Sequence, residues 1–193
     1  MKNIILASAS PRRKELLEQI GVNFQIVSSN TDEHIEFAND PVEYACTLSG
    51  KKAMDVAKRY DSGYLVIGAD TIVVLDGKIL GKPEDKEDAF RMLKSLQGKW
   101  HEVITGVTVI DAGDKRAESD YEKTRVKMRS LSDDMIKAYI NTGEPMDKAG
   151  SYGIQRFGAL LVERIEGCYF NVVGLPLVKL SFMLEKFGYT ILS

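Results

Sequence analysis

The sequence predicts a single α/β domain, and three observations carry that expectation. Short apolar runs alternate with amphipathic segments along the chain. No repeat recurs at a fixed period, and no Pro/Ser-rich linker divides the sequence. The length of 193 residues, 44% of them hydrophobic and 28% charged, is that of one ordinary soluble domain spanning 1–193, with at most two lobes. Such a chain holds enough apolar material to bury a core without a metal staple or disulfides.

The elements follow in order. Ile4 to Ala7 reads as a buried strand. Leu16, Leu17 and Ile20 give Pro11 to Ile20 a helical period that stops at Gly21, with Ser10 and Pro11 as N-cap and first turn. A second helix is predicted from Pro41 to Tyr60. Leu65 to Leu75 is almost continuously apolar, and Asp76-Gly77 is a hairpin turn into Lys78 to Leu80. Asp85 to Leu96 reads as a capped helix ending at Gly98. Val103 to Ile110 and Tyr121 to Met128 are predicted strands, and Ser132 to Asn141 a helix ending at Gly143. A glycine-bearing loop, a strand near Leu160 to Ile165 and a last helix opening around Pro176 complete the chain.

The charge balance, 26 basic against 28 acidic side chains, argues against a general nucleic-acid binder but permits a local basic pocket for a small anion. The amino terminus turns polar at once, so no signal peptide is expected. No apolar run reaches the ~18 residues of a membrane helix. A soluble, cytoplasmic protein that engages neither nucleic acid nor membrane is therefore expected. Cys46 and Cys168 form no C-x-x-C pair, no H-x-x-x-H is present, and no G-x-G-x-x-G follows a strand. Zinc, disulfide-framework and dinucleotide chemistry thus lack support. His34 and His101 lack the context of a nucleophile's partner and read as surface or core residues.

Four features exceed a purely structural reading. Ser8-Ala9-Ser10-Pro11-Arg12-Arg13 places two cations in a helix first turn, where the unpaired N–H groups already carry positive charge. An anion held there would explain them; solvated arginines paired with Glu15 or Glu18 would too, and both readings stay open. Lys52 falls inside the stripe Val42, Ala45, Leu48, Ser49, Ala53 and Val56, whereas Lys51 points away from it. It either snorkels or reaches a buried anion. Asp70 interrupts the apolar run Leu65 to Leu75. A buried carboxylate there requires a partner or a metal, unless it merely caps a strand end. Gly68 and Ala69 leave room for something to approach the backbone, and Glu33, in Asp32-Glu33-His34, is a companion acid. Gly81-Lys82-Pro83 supplies a further cation. The echo of a phosphate loop in Gly77-x-x-x-Gly81-Lys82 fails, because it is one residue short and Pro83 replaces the hydroxyl residue. Cations gathered with carboxylates suit metal-assisted chemistry on a phosphate ester.

Ser8-Ala-Ser-Pro-Arg-Arg13, Gly68-Ala-Asp-Thr71, Gly81-Lys-Pro83, Asp147-Lys-Ala-Gly-Ser-Tyr-Gly-Ile-Gln155 and Asn171-Val-Val-Gly-Leu-Pro176 occur in this order across the chain. As an ordered set they resemble the Maf family of nucleoside triphosphate pyrophosphatases, also called septum-formation proteins. The resemblance implies an elongated, curved mixed sheet flanked by helices, with two lobes around a deep cleft, related to the inosine-triphosphate pyrophosphatases. It implies hydrolysis of a nucleoside triphosphate to monophosphate and pyrophosphate with a divalent metal, Mg²⁺ or Mn²⁺. The loop ending at Gln155 is similar to that of the branch acting on dTTP and UTP, whereas the branch acting on 7-methyl-GTP differs there. An amide offers an acceptor and donors that match the N3–H and O4 edge of uracil or thymine. The resemblance makes Asp70 the proton acceptor and Arg12, Thr71 and Gln155 the specificity positions. It leaves Cys168 to packing.

The expected site then has Ser8, Arg12, Arg13, Lys52 and Lys82 on the phosphates and Asp70 with Glu33 on the metal. The substrate is a small nucleoside triphosphate; a homodimer is permitted but not demanded. Two other readings remain: a house-cleaning pyrophosphatase for modified pyrimidine nucleotides, and a non-catalytic nucleotide-binding regulator of cell division. Specificity constants on modified substrates separate the first, and pyrophosphate release separates the second.

Overall fold

The computed structural model describes residues 2–31 and 40–192. Its elements in chain order are β1 (Asn3–Leu6), α1 (Pro11–Gln19), β2 (Phe24–Ile26), α2 (Pro41–Ala57), β3 (Tyr64–Leu75), β4 (Lys78–Leu80), α3 (Lys86–Leu96), β5 (Trp100–Asp111), β6 (Ala117–Met128), α4 (Asp133–Asn141), β7 (Val162–Glu166), α5 (Tyr169–Val173) and α6 (Leu177–Glu185). Three 3-10 turns, Glu144–Asp147, Ala149–Ser151 and Arg156–Leu160, occupy the glycine-bearing loop. The mixed α/β class stands.

Local chemistry sets most boundaries. Asp40 Oδ1 accepts from Val42 N at 2.7 Å and Glu43 N at 2.9 Å, and Pro41 needs no N–H partner at N1. Asp85 and Ser132 cap α3 and α4 in the same way, at 2.7 Å and 3.3 Å. Asp76 and Gly77 both have positive φ, 50° and 76°, as the two central residues of a tight hairpin turn require. Three expectations need correction. Ser10 occupies the N-cap position of α1 but its side chain makes no capping bond. Helix α2 stops at Ala57 rather than Tyr60: Arg59 N and Tyr60 N turn back to Val56 O at 2.9 Å and Ala57 O at 3.3 Å, and Lys115 Nζ covers the Ala57 and Tyr60 carbonyls at 2.9 Å and 3.1 Å. Strand β6 begins at Ala117, four residues early, in a solvent-facing stretch that carries no apolar alternation.

Among the described residues the sheet has seven strands in the order β2-β1-β3-β5-β6-β7, with β4 pairing back on β3. β1 runs parallel to both β2 and β3, in the registers Leu6↔Ile26 and Leu6↔Ile67. β4 lies antiparallel to β3, and β7 antiparallel to β6. The chain forms two compact units: Met1–Asp70, Thr105–Glu122 and Gly174–Ser193 in one, Thr71–Ile104 and Lys123–Val173 in the other. In the first, Ile5, Val66 and Ile110 pack against Ala53, Val56 and Ala57 of α2. In the second, Leu93 and Leu96 of α3 and Ile136 and Ile140 of α4 close over Val73 and Val126. Among the described residues no helix is long and apolar enough to cross a membrane.

Candidate active site

In the first unit the strand period of two directs Val66, Gly68 and Asp70 of β3 to one face, and α2 lies on it. A Cβ on Gly68 would stand 2.2 Å from Ser49 O and 2.8 Å from Ala53 N. A Cβ on Gly106 of β5 would stand 2.4 Å from Ala45 O. Only glycine admits the helix backbone so near. What approaches Gly68 is therefore α2 itself. Ser49 Oγ fixes the helix further by a 2.8 Å hydrogen bond to Thr108 Oγ1. One turn on, Lys52 Nζ donates to Asp70 Oδ1 at 2.6 Å, and each side chain is only 12% exposed. The inward lysine reaches a buried anion, and that anion is Asp70. Removing either partner from so enclosed a pair would strand a charge at a cost of about 3–5 kcal/mol.

β1 stays paired with β3 to its carboxyl end, where Ala7 N donates to Ile67 O at 2.8 Å, and Ser8 is the next residue. In the order β2-β1-β3 the chain leaves β1 on one side and returns to pair on the other. The carboxyl ends of β1 and β3 thus form a topological switch point, where open parallel sheets bind ligands. Ser8 to Arg13 runs from β1 into α1 at that point. Arg13 Nε donates to Gly174 O at 2.8 Å, and its Nη1 to Ser8 Oγ at 3.2 Å. Ser8 Oγ also accepts from Ser10 N at 3.2 Å. Arg13 therefore braces the loop, and the helical acid Glu18 lies 3.6 Å from Lys14 Nζ. Arg12, half-buried, follows Pro11 in the same first turn. Gly174, which receives Arg13, has φ 125° and so belongs to a position open to glycine.

The second unit holds Thr71, Lys82 and Gln155. Gly150 N donates to Gly81 O at 2.9 Å, joining the turn that bears Lys82 to the loop that bears Gln155. A Cβ on Gly150 would meet Val73, two residues beyond Thr71, at 3.0 Å, and its φ is 65°. Lys82 is exposed and Gln155 half-buried. Beneath the loop, His101 Nε2 lies 2.6 Å from Tyr152 Oη. Burial lowers the His101 pKa to about 4 and raises that of the Tyr152 phenol, so both are neutral at physiological pH. Tyr139 and Glu144, which sequence reasoning passed over, also bond to this loop. An acid after Gly143 in a polar stretch gives no signal of its own.

Glu33 and His34 lie outside the described residues. Among the described residues no cluster of three or more His, Cys, Asp or Glu side chains gathers. Mg²⁺ is ordinarily held by one or two carboxylates, with substrate phosphates and water completing its shell. Asp70, a buried carboxylate held by Lys52, fits that donor pattern.

Residues 3–187 match the family described as Maf-like protein. The chain belongs to the Maf family. A dTTP/UTP pyrophosphatase of Acetivibrio thermocellus is 57% identical over 202 residues, covering 100% of this chain and 99% of that one. A second dTTP/UTP pyrophosphatase, from Ruminiclostridium cellulolyticum, is 53% identical over 194 residues and covers 100% of both. Among solved structures, a HAM1 protein from Coxiella burnetii matches 96% of this chain and 100% of its own at TM-score 0.52 and 14% identity. That last likeness is one of fold. The residues described above are thus those of a Maf-family chain aligned over its whole length with named pyrophosphatases.

Proposed function

We propose that this Maf-family chain hydrolyses dTTP and UTP to the nucleoside monophosphate and pyrophosphate. The observation that supports it most is the enclosed Asp70–Lys52 pair, on a strand that pairs with the one leading into the Ser8–Arg13 loop, in a chain matching dTTP/UTP pyrophosphatases over its full length. The triphosphate is met by the Ser8 hydroxyl, Arg12, Lys52 and Lys82, with Arg13 holding Ser8 in place. Asp70 accepts a proton from the attacking water, whose oxygen bonds to the α-phosphorus. The bridge from that phosphorus to the β-phosphate breaks, and the electron pair leaves with pyrophosphate. Lys52 Nζ, donating to Asp70 Oδ1, orients the carboxylate until then. A divalent ion, Mg²⁺ or Mn²⁺, held by Asp70 and Glu33 would supply charge neutralisation on the phosphoryl oxygens. Gln155 reads the pyrimidine edge, and Arg12 and Thr71 complete the specificity set. A cytoplasmic setting suits this substrate class.

Product analysis with UTP tests the reading. UMP and pyrophosphate are expected in the presence of Mg²⁺ or Mn²⁺, with turnover abolished by a chelator and restored by either ion. Formation of UDP and phosphate would overturn the proposed reaction. An undiminished rate in excess chelator would remove the metal from it.

A further inference from the structure

We infer that Glu144, together with Tyr139, is the positioning residue that sets how Gln155 meets the base, an inference resting on the base-reading role given to Gln155 above. Glu144 opens the first 3-10 turn after α4, directly following Gly143 at φ 76°. Its Oε1 accepts from Tyr139 Oη at 3.0 Å and from Gly158 N at 3.0 Å, and its Oε2 accepts from Phe157 N at 3.3 Å. Tyr139 Oη in turn accepts from Gly153 N at 3.3 Å. One carboxylate and one phenol thus hold both ends of the segment from Gly153 to Gly158, with Gln155 midway. The ends also touch, since a Cβ on Gly158 would stand 1.9 Å from Gly153 O. Arg156, next to Gln155, is held at φ 52°, a conformation that ordinary side chains avoid. The backbone on both sides of Gln155 is thereby tied to Tyr139 and Glu144.

The chemistry explains why an acid stands there. Three donors converge on two oxygens, a load that an ionised carboxylate carries and an amide does not. Glutamine could keep the Oε1 bonds but would turn an NH₂ towards the Phe157 N–H. Burial raises the Tyr139 pKa, so the phenol remains protonated and continues to donate to Glu144. Pre-positioning of this kind is what a bidentate amide needs to discriminate one base edge from another.

The test measures kcat and KM of the full-length enzyme for UTP and for ATP in Glu144→Ala, Glu144→Gln, Tyr139→Phe, Gln155→Ala and the double variant Glu144→Ala/Gln155→Ala. Glu144→Ala should lower the UTP-over-ATP ratio of kcat/KM by about tenfold, chiefly through KM for UTP, with Glu144→Gln intermediate. In the Gln155→Ala background the same change should alter the ratio by less than about twofold, because the residue it acts through is already gone. A ratio that falls in Gln155→Ala but not in Glu144→Ala would overturn the positioning role, as would equal loss on both nucleotides or additive effects in the double variant. A ratio unmoved by Gln155→Ala would instead sink the base-reading role and this inference with it. Should Glu144→Ala fail to fold, Glu144→Gln and Tyr139→Phe make the same comparison, and an unchanged ratio in both overturns the inference.

Discussion

His101 carries its imidazole in a setting that tolerates only the neutral form. Nε2 shares a proton with Tyr152 Oη at 2.6 Å, while Nδ1 is buried with no hydrogen-bond partner. An imidazolium would place a second N–H in that dry position, and burial accordingly lowers its pKa to about 4. In the unfolded chain the same histidine titrates near 6.5. The unfolded state therefore binds the extra proton between these values, and stability falls as pH drops from above 6.5 towards 4. Urea unfolding at pH 7.5 and 4.5 should show a loss of roughly 2–3 kcal/mol from this residue, greatly reduced in His101→Gln. An identical pH dependence in the variant would contradict the assignment. Asp111, held low first by its hydrogen bond from Lys2, adds a loss of the same sign at more acid pH. At this scale legibility followed contrast. Asp70 and Lys52 stood out as charges within apolar patterns, whereas Glu144 sits among polar neighbours and gains its meaning only from the folded loop.

Helix α2 is the element on which the site depends. Two glycines of two strands admit its backbone, and Ser49 anchors it to Thr108, so the reach of Lys52 is a property of how the helix is seated. Gly68→Ala would force a methyl group to 2.2 Å from Ser49 O, and overpacking against backbone costs about 1–3 kcal/mol or more. The expected outcome is a lower midpoint of thermal unfolding together with lost UTP hydrolysis. Gly50→Ala serves as the control in the same helix. There the added carbon would lie 3.7 Å from Thr108 Oγ1, an ordinary contact, and removing a helical glycine is worth up to about 1 kcal/mol. A Gly68→Ala protein as stable as the parent would refute this account of the seating. Caps and periodicity made α2, α3 and α4 legible. α5 was not, because its five residues are too few for a helical period. Asn171 Nδ2 instead secures it by donating to Val103 O and Thr124 Oγ1, each at 3.0 Å.

Across the whole molecule, the chain passes from the first unit to the second between Asp70 and Thr71. Ser8, Arg12, Arg13, Lys52 and Asp70 belong to the first; Thr71, Lys82 and Gln155 belong to the second. Asp70 and Gln155 thus stand on separate cores, which lets substitutions in the Gln155 loop be tested against those around Asp70. The ordered motifs identified the family from the sequence. The strand order that makes β1 and β3 a switch point was not available there, because pairing partners far apart in the chain leave no local pattern. The most direct measurement is UTP hydrolysis in ¹⁸O-water by the parent enzyme and by Asp70→Asn, with the fold of the variant checked by circular dichroism. The expected result is label in UMP and none in pyrophosphate, with turnover in Asp70→Asn reduced at least about a hundredfold, the scale of losing a general base. Label appearing in inorganic phosphate beside UDP, or a folded Asp70→Asn protein turning over at near the parent rate, would contradict it.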